Sequence, residues 1–139
     1  MSQAVRPVLV LVVGAAAVVF AAGQIVRSPA FSIPKDFLEY WASGRLNLRG
    51  ENPYDPATLL AEQRTADPDR PEAVMMWNPP PALALYAPLG WLPPRWAALL
   101  WIGAQLLAVM LACDLLWRAY APGRPRWLAQ VAGLSFVGT

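Results

Sequence analysis

Two long runs almost free of charge restrict this chain more than any other feature. Val8–Val26 is 19 residues long and is bounded by Arg6 and Arg27; Trp96–Leu116 is 21 residues long and carries one charge, Asp114, near its end. At ~1.5 Å per residue each run reaches about 28–32 Å, the thickness of a bilayer's hydrocarbon core. A segment in hydrocarbon must satisfy its backbone polar groups internally, so both runs are expected to be membrane-spanning helices. The 139-residue chain is 57% hydrophobic and 14% charged, against roughly 25% charged residues in soluble domains. A signal peptide is the competing reading of the first run, but its apolar core exceeds the usual ~7–15 residues.

Trp127–Thr139 is a third apolar stretch of 13 residues, short of the ~20 that a span requires. The expectation is an all-α integral membrane protein, the N-terminal part of a larger polytopic bundle with a truncated third span. Arg118, Arg124 and Arg126 stand in the 118–126 link without an acid, which places that link in the cytoplasm. The N-terminus then shares that side, and the 27–95 loop, with seven basic and eight acidic residues, lies outside. The expected order in this single membrane domain is span one at 8–26, exterior loop at 27–95, span two at 96–117, link at 118–126 and span three at 127–139. Trp91, Trp96, Trp117 and Trp127 fall at the expected boundaries, where aromatic anchors are enriched. Asp114 precedes Arg118 by four residues, the spacing of a helical ion pair. Cys113 is the single cysteine and forms no intrachain disulfide.

Within the loop, Ser32 is a possible cap, Pro34 suits a first turn and Gly50 is a stop, so a helix is expected over Lys35–Leu48. Asp36, Tyr40, Ser43 and Asn47 share one face of it; Phe37, Trp41, Gly44 and Leu48 share another. That pattern describes an amphipathic helix resting at the membrane surface or against other spans. "ENPYDP" (51–56) makes a turn, and Thr58–Arg64 forms a short helix. Pro79–Pro81 prevent a continuous helix, leaving Ala82–Ala87 as a short re-entrant or interfacial piece.

Much chemistry is excluded. Without histidine there are no His-based triads and no histidine metal sites, and one cysteine makes no thiolate cluster. No glycine-rich phosphate loop is present. Carboxylates on a loop beside lipid remain, and Asp36 is the sharpest of them. A carboxylate partly desolvated at headgroup height is a better proton acceptor than a hydrated one. The alternative is a helix-start acid stabilised by the macrodipole, by ~0.3–1 kcal/mol. Glu39, Glu51 and Asp55 carry the same ambiguity.

The order of these elements narrows the choice. "DFLEYWASGRLNLRGENPYDP" after span one, then "WNPPPALALYAPLGWLPP", then a tryptophan-bearing span, resembles the start of glycosyltransferase family 87. That family belongs to the GT-C superfamily and is similar to polyprenol-phosphate-mannose-dependent α-mannosyltransferases. The resemblance covers roughly 29–117 and rests on the aspartate-bearing aromatic helix, the turn Gly50-Glu51-Asn52-Pro53-Tyr54-Asp55, and Trp77-Asn78-Pro79-Pro80. Asn78 departs from it, since tyrosine often precedes the paired prolines. The resemblance implies a cell-envelope transferase moving a hexose, mannose by analogy, from a polyprenyl phosphate to a glycan or glycolipid hydroxyl. Asp36 would be the general base of an inverting displacement, with no cofactor, no metal and no nucleic-acid partner. Arg45, Arg49 and Lys35 are then available to the lipid phosphate, and Tyr40, Tyr54 and Trp77 to the base or the sugar. A non-catalytic membrane scaffold with an interfacial loop is the alternative function.

Overall fold

A helix whose apolar residues occupy more than one face needs cover from more than one neighbour, and the first loop helix is covered in this way over most of its length. The computed structural model describes residues 5–120, 125, 127–128, 130–131 and 133, with side chains from residue 12 onward. All regular structure among the described residues is helical: α1 (Val5–Arg27), α2 (Phe37–Leu48), α3 (Pro56–Gln63), a 3₁₀ turn at Pro80–Ala82, α4 (Leu83–Gly90) and α5 (Pro94–Tyr120). The chain divides into two compact units, Met1–Leu99 and Leu100–Thr139. α5 is long and apolar enough to cross a membrane.

In the first unit α2 packs on both α3 and α4. Its Phe37, Leu38, Trp41, Ala42 and Leu46 are buried, and so are Glu39, Ser43 and Gly44. The expected division into two faces is therefore corrected. Ser43 from the polar face is buried as fully as Trp41, while Leu48 from the apolar face is exposed. Leu38, Ala42 and Leu46 form a further apolar row at i, i+4, i+8, so more of the circumference needs cover than one interface supplies. Trp41 is 0% exposed, and its indole Nε1 donates to the Leu92 carbonyl at 3.0 Å, which removes the cost of burying an unpaired donor.

The helix boundaries follow local chemistry. α2 begins at Phe37 rather than Lys35, and Asp36 rather than Ser32 precedes it. Phe37 and Leu38 donate to the Pro34 and Lys35 carbonyls, which forms a tighter turn ahead of the helix. At the other end Gly50 takes φ +72°. Its N–H donates to Asn47 O at 3.1 Å, and that of Glu51 to Leu46 O at 2.9 Å, the paired bonds of a Schellman stop. α3 starts where Asp55 accepts from the Thr58 N–H at 2.8 Å and from its hydroxyl at 2.6 Å. α4 runs through Pro88 to Gly90, past the expected end at Ala87.

The α2–α4 crossing is a backbone contact. A Cβ on Gly44 would lie 2.9 Å from the Tyr86 carbonyl carbon, and one on Gly90 would lie 2.6 Å from the Arg45 nitrogen. Both distances are below van der Waals contact and both neighbours are main chain, so a methyl group separates the helices. In the second unit Arg118 pairs with Asp114 at 2.6 Å, as the four-residue spacing requires. Most of the third apolar stretch, and Arg124 and Arg126 of the link, lie outside the described residues.

Gly44→Ala and Gly90→Ala are each expected to destabilise the first unit by about 1–3 kcal/mol, the usual cost of overpacking. Gly103→Ala, with open space around it, is expected to be neutral or mildly stabilising. Thermal unfolding of the three variants in detergent measures the difference.

Candidate functional site

The three sequence marks at the helix, the turn and the Trp-Asn-Pro-Pro element meet at Asn78. Tyr54 of the turn donates its hydroxyl proton to the Asn78 carbonyl at 2.8 Å. Tyr40 of α2 lies near enough to the Asn78 side chain for that amide to act to lower its hydroxyl's pKa, and it stacks on Tyr86 of α4, with ring centroids 4.5 Å apart and an interplanar angle of 24°. Residues 40, 54, 78 and 86, far apart in the chain, thus form one polar-aromatic cluster. The Asn52 side chain holds the turn by accepting from the Tyr54 N–H at 3.0 Å.

Asp36 lies one helical turn before Tyr40 and is exposed. Its carboxylate makes no capping bond to the helix start. The next acid, Glu39, is buried. Burial pushes the Glu39 carboxyl above its ordinary value, the Tyr40 hydrogen bond offsets part of that, and the Asp36 charge raises it again. The Tyr40 hydroxyl is pushed up too, first by burial and then by its bond to Glu39. The cluster therefore has one hydrated carboxylate at its edge and one desolvated carboxyl bonded to a phenol.

The two arginines expected to reach a phosphate are held elsewhere. Glu62 of α3, 6% exposed, receives Arg45 at 2.9 Å and Arg49 at 2.5 Å. Arg49 also pairs with Glu51 at 2.8 Å, and the Arg45 guanidinium lies over the Trp41 ring, 5.1 Å from its centroid. These contacts tie α3 to α2 and place both cations in structural pairs. Trp77 is 84% exposed. The other two carboxylates that shared the ambiguity with Asp36 also have partners: Glu51 in Arg49, and Asp55 in its cap.

The structure adds a second polar feature on the same unit. Lys35 lines a cleft of about 600 Å³ together with Arg70, Arg95 and Asp67. Gln63, fully buried, holds the chain that returns from this region: its amide donates to Val74 O at 2.7 Å and accepts from Val74 N at 2.9 Å. Sequence reasoning found neither Asn78 as a hub nor the meeting of Arg70 and Arg95 in one cleft. The weak signal for the first was the departure from tyrosine at position 78. Among the described residues no group of three histidine, cysteine or acidic side chains is placed to hold a metal ion.

No family model matches the chain, and neither a curated protein nor a solved structure does.

Glu62→Gln removes the charge that both arginines share, and is expected to lower stability by about 1–3 kcal/mol in urea unfolding of the detergent-solubilised chain. The bonds from Thr58 hold the Asp55 carboxyl below the ordinary carboxylate range. A lowered carboxyl contributes fully above its unfolded pKa, ~3.9, and loses that contribution as pH falls through the folded value. The melting-temperature gap between Asp55→Ala and the parent chain is thus expected to be constant at neutral pH and to close below pH ~4.

Proposed function

We propose that the chain is part of a membrane glycosyltransferase that moves a hexose from a polyprenyl-phosphate donor to an acceptor hydroxyl on the exterior face. The observation that carries this reading is the convergence on Asn78 of three elements, with the exposed Asp36 carboxylate one helical turn from Tyr40. Scattered marks that serve only local turns have no reason to gather beside an unengaged acid.

In the proposed step an acceptor oxygen attacks the sugar's anomeric carbon while its proton passes to Asp36. The bond from that carbon to the phosphate oxygen breaks on the opposite face, and the lipid phosphate leaves with the electron pair. The configuration inverts, as when a glycosidase base activates the incoming nucleophile. The stacked Tyr40 and Tyr86 and the exposed Trp77 offer aromatic faces to the sugar. Arg45 and Arg49, though paired with Glu62, are about two-fifths exposed at the side chain and can contact an anionic headgroup.

The multi-pass topology belongs to the same proposal. α1 has 23 residues, ~35 Å at helical rise. Val12, Val13, Val18, Val19 and Phe20 are each more than half exposed, an apolar surface that lipid would cover. α1 and α5 are then the two spans and the loop between them is extracellular or periplasmic, with the N-terminus in the cytoplasm. A scaffold reading is favoured by one observation, the engagement of both arginines with Glu62.

Asp36→Asn separates the two. In the full polytopic protein, assayed with a polyprenyl-phosphate hexose, turnover is expected to fall by at least 10²-fold, the usual contribution of a general base. The melting temperature is expected to stay within about a degree or two, because Asp36 caps nothing. Turnover near the parent value removes Asp36 from the role and leaves the scaffold.

A further inference from the structure

We infer that the cleft between the start of α5 and the 65–70 segment is a binding site for a phosphate monoester. Lys35, Arg70 and Arg95 line it, against one acid, Asp67. Arg70 is 8% exposed, and its pairing with Asp67 at 3.1 Å uses one terminal nitrogen. Its Nε is buried without a hydrogen-bond partner. Leaving a buried guanidinium N–H unpaired costs more than leaving a neutral donor so, and a small shift of the side chain that turns this N–H to an acceptor oxygen in the cleft relieves that cost.

Arg95 is fixed but not neutralised. One of its terminal nitrogens donates to the carbonyls of Ser28 and Phe31, and its guanidinium packs 5.5 Å from the Phe31 ring centroid. Carbonyls orient a cation without cancelling its charge, and its Nε has no partner. Pro94 and Arg95 open the 27-residue helix α5, so the positive end of the helix dipole adds to the same cleft.

Three cations and one carboxylate leave an excess of two positive charges. A phosphate monoester carries about −1.5 to −2 near neutral pH, and its oxygens suit a fork of arginine donors. A carboxylate or phosphodiester would leave about one charge uncompensated. Phe31, Leu38 and Pro94 form an apolar part of the lining, which accommodates an alkyl chain next to the phosphate. A lipid phosphate in this cleft rests on the transfer reading, in which such a phosphate is the leaving group; a free phosphate does not.

The test is calorimetric titration of the full chain in a neutral detergent with two probes, inorganic phosphate and hexyl phosphate. Saturable binding of at least one is expected, weakened about fivefold or more by Lys35→Gln, an exposed position whose change does not threaten the fold. Arg70→Lys keeps the charge but removes Nε, and is expected to weaken binding similarly wherever its melting temperature shows it folded. Tighter binding of hexyl phosphate assigns the site to a lipid phosphate; equal binding assigns it to a free phosphate. Absence of saturable binding, or affinity unchanged by Lys35→Gln, overturns the inference. With no sugar donor and no acceptor present, this outcome is separate from that of the Asp36→Asn turnover assay.

Discussion

The backbones of α2 and α4 touch at Gly44 and Gly90 with no side chain between them, and the packing of the loop depends on that approach. It brings the Tyr86 carbonyl against Gly44 while the Tyr86 ring lies over Tyr40, one turn earlier on α2. It also brings the chain after α4 close enough for the Leu92 carbonyl to receive the Trp41 indole. Burying Trp41, Phe37 and Leu46 supplies on the order of 2–3 kcal/mol each from area alone. That gain requires α4 to stay at backbone distance. The aromatic cluster is thus a by-product of glycine placement as much as of aromatic content.

Charge is secondary to this packing and serves to position α3. Glu62 is buried between two arginines that remain partly in water. Isolated, such a carboxylate would pay a desolvation cost larger than its hydrogen bonds return. Two cations on one acid change that balance, and the Trp41 face under Arg45 adds an attraction of about 0.5–1 kcal/mol. The same bonds make Arg45 and Arg49 less available to a ligand than Arg95, whose partners are uncharged carbonyls.

Local features of this chain were legible in its sequence and tertiary ones were not. The stop at Gly50, the helix near 56–64 and the Asp114–Arg118 pair all follow from residues within a few positions of one another. The length and apolarity of α5 were equally plain. The burial of Ser43 and of the Leu38, Ala42, Leu46 row was not, because Asp36, Tyr40, Ser43 and Asn47 read as one wet face until α3 and α4 are known to pack on α2. Ser43 looks polar in sequence and is fully buried in the fold. The Glu62 pairs span 13 and 17 residues, the Tyr54–Asn78 bond spans 24, and Arg95 reaches back 64 and 67. No periodicity records such separations. Asp36 was visible as a candidate from its place in the chain, whereas the phosphate cleft is assembled from three separate segments.

The hold of Arg95 on the carbonyls of Ser28 and Phe31 has a consequence for how such a chain can vary. It fastens the exit of α1 to the entrance of α5, so the polypeptide between them leaves and returns at a single point. Closing a loop costs only about (3/2)RT ln n in its length, and once the two ends are clasped that cost is met by the clasp, not by the contents. Segments near 65–73 can therefore lengthen or shorten without changing the clasp that joins Ser28 and Phe31 to Arg95. The loop behaves as a cassette on a fixed hinge point, open to replacement as one piece.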